Sequence, residues 1–217
     1  MENAQNLIYI LFICTFVPLL ISIPLVKPSS RDIIIFIETG IFVALFVSEI
    51  NGSLLRFFDE DTFYVTTTIT PVTEEIFKAL PILLYAFGIS DNRDKLITIS
   101  FALGIGFALF ENSYILIANI DNVTLGWSAV RGFSTGLMHG ICTAMVGFGM
   151  SFVKKKRKLF VVGTIALLMT AITYHASFNL MVQYDRMNWY GFAMPMITYI
   201  PFMIYRIRAE IKERKMA

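Results

Sequence analysis

Apolar residues along this chain come in runs near twenty residues long, separated by short polar segments. They do not alternate with period two, and no narrow stripe with period 3.6 dominates. Runs of that length, apolar on all sides, predict membrane-crossing helices. Seven spans are expected, near Leu7–Val26, Ile33–Ile50, Tyr64–Ile89, Leu96–Ala118, Ala129–Val153, Leu159–Gln183 and Tyr190–Tyr205. The predicted fold class is all-α: a polytopic bundle of about seven transmembrane helices, forming one domain over residues 1–217.

Composition agrees with this pattern. The chain has 217 residues, 56% of them hydrophobic and 16% charged. A soluble domain of ordinary make-up carries about 25% charge. The opening residues, MENAQN, lack the basic start of a signal peptide, so the first apolar run is expected to stay as a helix. Cys14 and Cys142 both fall in apolar runs and are expected to be small buried hydrophobes. A net charge of +2 says little about partners, and nucleic acid is not expected among them.

The positions of the basic residues set an orientation. Cytoplasmic loops are enriched in Lys and Arg. Lys154–Lys158 reads KKKRK, and placing it inside puts fourteen of the eighteen Lys and Arg on that side, against Arg56 and Arg186 opposite. The N-terminus is therefore expected outside and the C-terminus in the cytoplasm. The basic run also suits anionic lipid.

Lys78 and Arg131 lie within predicted spans, and so do several acids. The third span contains Thr73-Glu74-Glu75-Ile76-Phe77-Lys78, and the fourth contains Phe107-Ala108-Leu109-Phe110-Glu111-Asn112. The fifth holds Arg131 and His139, the sixth His175 and Asn179. A charged side chain at a helix centre costs about 2.5–3.5 kcal/mol on insertion scales. Five of them left unpaired would cost on the order of 15 kcal/mol, so they must face one another or a water-filled cavity.

Depth supports mutual facing. Glu75, Glu111, His139 and His175 lie eleven, seven, ten and eight residues from the outer ends of their predicted spans. At about 1.5 Å per residue this places all four roughly 10–17 Å below the outer boundary, in one layer. Glu38 falls near the inner end of its span and is set apart; Glu49 is expected at the outer interface. Glu74 and Lys78 share a helix face at i, i+4, as do Phe107 with Glu111 and His175 with Asn179. Gly132, Gly136 and Gly140 form a ridge of small residues beside His139, expected to serve close helix packing.

These residue types can hydrolyse an amide. A carboxylate near a histidine holds and deprotonates a water. A histidine with an asparagine amide can stabilise an oxyanion. The same set could bind a divalent metal such as zinc, with Glu75, Glu111, His139 and His175 as candidate ligands. Other readings stay open here: a proton- or cation-coupled transporter using the same carboxylates, or a non-catalytic scaffold or immunity protein.

Four segments in order, EEIFK at Glu74–Lys78, GFALFEN at Gly106–Asn112, the Arg131–His139 stretch and HASFN at His175–Asn179, resemble the PrsW intramembrane proteases, related to the CAAX prenyl endopeptidase and ABI group. The resemblance spans about half of the chain. It implies a membrane helical bundle, residence in a prokaryotic cytoplasmic membrane and a membrane-anchored protein substrate, such as an anti-sigma factor. It makes Glu74 and Glu75 the paired glutamates, one activating water, and places Glu111 where the prenyl endopeptidases carry a histidine after Phe107. His175 and Asn179 match the closing motif, in which Asp is common at the last position. Lys78, Phe107, Asn112 and Arg131 take supporting roles, and oligomeric state is left open.

Overall fold

The computed structural model describes residues 2–156, 158–184 and 186–216. Arg157 of the basic run, and the side chains of Arg206, Lys212, Arg214 and Lys215 in the tail, lie outside the described residues. Among the described residues there are seven long helices and no strand: α1 (Glu2–Ser22), α2 (Pro28–Phe57), α3 (Thr70–Gly88), α4 (Arg93–Ala118), α5 (Leu125–Met150), α6 (Thr164–Gln183) and α7 (Asn188–Met216).

Local chemistry fixes the helix starts. Proline stands at the beginning of α2 and of α3, where its missing N–H has no intrahelical partner to lose. Asn92 caps α4 by accepting from the Lys95 amide at 3.0 Å, and Thr124 caps α5 by accepting from the Trp127 amide at 3.2 Å. The expected third span begins earlier than α3 does. A single turn, Thr62–Tyr64, and a π-helical turn, Val65–Ile69, precede it. A second π turn, Leu159–Gly163, leads into α6.

Among the described residues, four segments are long and apolar enough to cross a membrane on their own: Leu7–Leu25, Ser30–Phe57, Arg93–Ala118 and Leu159–Gln183. By length and composition they make this a multi-pass membrane protein. Two of these, α4 and α6, carry Glu111 and His175, and two helices outside the set carry the rest of the buried polar residues. α3 holds Glu74, Glu75 and Lys78, while α5 mixes glycine, serine and threonine with Arg131 and His139.

Inside a membrane, helices gain little from hiding apolar surface from lipid, so close packing and polar contacts hold them together. Glycine supplies the close packing. A Cβ on Gly40 or Gly106 would run into the α4 or α2 backbone, at Leu103 and Ile37 respectively. A Cβ on Gly104 of α4 would lie 2.7 Å from the carbonyl carbon of His139 and 2.8 Å from Cα of Gly140, both on α5. The helices α2, α4 and α5 therefore touch backbone to backbone, with α4 in the middle. Polar staples fix the ends: Lys95 to Asp32 at 2.6 Å, Thr73 to Asn51 at 2.7 Å, and Ser134 donating to the Phe192 carbonyl at 2.9 Å. Cys142 is buried as expected, whereas Cys14 is exposed on α1, the outermost helix.

Candidate active site

The two adjacent glutamates of α3 both point into the bundle. Glu75 is 1% exposed and Glu74 5%. Lys78, completely buried, turns to Glu75, with Nζ 2.6 Å from Oε1, not to Glu74. Positions i+3 and i+4 are equally reachable on a helix. The ammonium takes the side that also offers it Nδ1 of His139, at 2.8 Å. The same ammonium sits 4.7 Å from the centre of the Phe107 ring. An ammonium donates only, so Nδ1 of His139 accepts. Nε2 of His139 then carries the ring proton and donates it to Oε2 of Glu111 at 2.8 Å.

His175 of α6 is held in the opposite sense. Its Nδ1–H donates to Oε1 of Glu75 at 2.9 Å. Its Nε2 is left with a free lone pair, 3.8 Å from Oε2 of Glu74. That oxygen is buried and has no hydrogen-bond partner. The two imidazoles meet edge to face at 4.8 Å, and Phe107 lies 5.0 Å from His139. Helices α3, α4, α5 and α6 each contribute, as the common depth of these residues requires.

Arg131 of α5 approaches Glu111, Nη2 to Oε1 at 3.8 Å. The Glu111 side chain is 28% exposed, while those of Glu74, Glu75, Lys78 and both histidines are sealed to within a few per cent. The site thus opens outward past Glu111. Asn112 is buried and its amide oxygen is unpartnered. Asn179 donates from Nδ2 to the backbone carbonyl of Thr66 at 2.9 Å, in the π turn before α3. Thr66 is a contributor that spacing did not reveal; the Thr66-Thr67-Thr68 run inside an apolar span was the available signal. Glu38, set apart by its expected depth, is buried and its Oε1 lacks a partner. Glu49 accepts from the Tyr9 hydroxyl at 3.0 Å.

One ligand atom each from Glu74, His139 and His175 can be chosen so that all lie within 4.8 Å of one another. Two imidazoles and a carboxylate, with positions left open, make a donor set suited to catalytic zinc. A buried carboxylate oxygen with no partner and a bare imidazole nitrogen facing it fit a cation between them. His175 also has the support such ligands usually have, a carboxylate on its other nitrogen.

The profile of one family, described as PrsW family intramembrane metalloprotease, matches residues 31–206. The chain belongs to that family. The match takes in every residue of the cluster, so this member of the PrsW family is an intramembrane protease with its four polar segments in one buried site. No curated protein and no solved structure matches the chain.

Proposed function

We propose that this PrsW protein is a metal-dependent endopeptidase that cuts a peptide bond within or beside the membrane segment of an anchored protein. The observation carrying this is the buried Glu74, His139 and His175 set inside a membrane bundle. These three would hold a divalent ion, zinc by preference for the donor set. When bound, the ion would polarise the scissile carbonyl and acidify a water.

The chain's own residues divide the remaining work. Glu75 orients His175 through Nδ1 and is itself held by Lys78. Whichever nitrogen of His139 turns to the ion, a bond seen here is given up, because Nδ1 holds Lys78 and Nε2 holds Glu111. Glu111, the least enclosed of the three carboxylates, takes the proton of the attacking water and returns it to the leaving amine nitrogen. Arg131, with Nη2 3.8 Å from Oε1 of Glu111, aims that carboxylate. Asn179 spends one amide hydrogen on Thr66 and keeps the other for the developing oxyanion, on the face it shares with His175.

All seven helices are proposed to cross the membrane, with the N-terminus outside and the basic loop and tail in the cytoplasm. The cluster then lies in the outer half of the bilayer of a prokaryotic cell. The substrate class is a single-span protein, anti-sigma factors among them. The test is cleavage of a single-span reporter by purified protein, with metal content measured on the same samples. Wild type should cut and carry about one ion per chain; Glu74→Gln and His175→Ala should lose both properties. Full cleavage by metal-free protein would sink the reading.

A further inference from the structure

The glycine ridge of α5 is not one thing. A Cβ on Gly140 would meet the Phe101 ring at 2.6 Å, so Gly140 packs. Gly132 has nothing within 4 Å, and Gly136 only the tip of Ile105 at 3.8 Å. No neighbour in the bundle needs those two to be glycine. They line a groove of about 400 Å³ where α4 and α5 part, beyond their backbone contact at Gly104. Its size falls in the range of ligand sites, roughly 300–1,000 Å³. Leu109 and Phe133, both more than half exposed, form its rim, and Tyr199 of α7 stacks on Phe101 at its end.

One wall is polar. Asn112 lines the groove, is 7% exposed, and has a buried amide oxygen with no partner in the protein. It directly follows Glu111 in α4, and Gly136 lies one turn from His139, so the groove runs up to the cluster. A lipid tail could fill an apolar slot but offers the amide nothing. A peptide backbone offers N–H groups.

We infer that the α4–α5 groove is the docking track for the substrate's membrane segment, held as unwound backbone with an N–H donating to Oδ1 of Asn112. This rests on the protease reading. A helix satisfies its own amides; to be cut it must unwind, and in hydrocarbon each freed amide then needs a protein partner. Asn112 supplies an acceptor beside the site of chemistry, and the missing side chains at Gly132 and Gly136 let a backbone lie against α5.

The test uses full-length protein in lipid nanodiscs, with a photocrosslinking amino acid at Phe133 or, as a control at an exposed position of α6 outside the groove, at Ile165. The probe is a single-span polypeptide with a Gly-Pro break in one half of its apolar segment. Probe crosslinks should form at Phe133 and not at Ile165. They should disappear with Gly132→Val or Gly136→Val and persist with Gly52→Val, another glycine with open space around it. Asn112→Leu should raise KM for cleavage about tenfold with little change in kcat, the signature of lost binding. Equal crosslinking at both positions, persistence in the filled-groove variants, or lipid adducts at Phe133 under saturating probe would each overturn the proposal. Cleavage without groove crosslinks removes the docking track and leaves the protease; groove crosslinks without cleavage by zinc-loaded wild-type protein do the reverse.

Discussion

Replacing Gly104 by alanine tests whether helix contact sets the catalytic geometry. The added methyl would sit 2.7 Å from the His139 carbonyl carbon and 2.8 Å from Cα of Gly140. Ordinary contact begins at 3.4 Å, so α4 and α5 must separate by at least 3.4 − 2.7 = 0.7 Å at that point. Both obstacles are backbone, so no side chain can swing away. Glu111 rides on α4 and His139 on α5. Their 2.8 Å hydrogen bond would stretch by a comparable amount, to about 3.5 Å, beyond useful N–H···O distance. Overpacking of this kind costs about 1–3 kcal/mol of stability. A misplacement near 1 Å at a catalytic group can cost about 10²-fold in rate. The assay is reporter cleavage at saturating substrate, alongside thermal unfolding in detergent. Gly126→Ala, where nothing lies within 4 Å, serves as the control and should match wild type in both. If Gly104→Ala cuts at the wild-type rate with unchanged unfolding, the α4–α5 contact does not position His139 against Glu111.

Lys78→Met should destabilise the protein by about 3–5 kcal/mol, because it leaves Glu75 buried without its ammonium. Adding Glu75→Gln should recover part of that loss, read as a non-additive double-mutant cycle in denaturation. Asn179→Ala should cost about 1 kcal/mol through loss of its bond to the Thr66 carbonyl, and Asn179→Asp more, since a carboxylate then faces a carbonyl. Chelation should abolish cleavage and zinc should restore it. Ligand imidazoles must be unprotonated, so metal affinity measured by competition should fall as pH is lowered.

Much of the site was legible because membrane physics limits where charges can go. Glu74, Glu75, Glu111, His139 and His175 are costly wherever they do not meet, and the similar depths expected for Glu75, Glu111, His139 and His175 pointed to mutual facing. Which partners pair was not legible. Lys78 chose Glu75 over Glu74 because of where His139 stands, and that depends on how closely α4 lets α5 approach. The fate of Asn179 depended on the π turn at Val65–Ile69, an irregularity that hydropathy does not register. The glycine ridge looked uniform in sequence, yet only Gly140 has a neighbour that requires it. Glu38 shows the limit of depth alone: its place near a span's end gave no sign that the side chain would be buried.

The bonds of Lys78 and Glu75 bear on how the protein is made. Their partners arrive late: His139 lies 61 residues after Lys78, and His175 lies 100 residues after Glu75. At synthesis rates of about 5–20 residues per second, α3 waits roughly 5–20 s before α6 exists to receive it. In that interval Lys78 and Glu75 can neutralise each other within the nascent helix, leaving Glu74 as the exposed liability. If α3 crosses the membrane as proposed, its lateral release into lipid would be the delayed event of biogenesis, and a chain truncated before α6 should be held by the insertion machinery or handed to quality-control proteolysis.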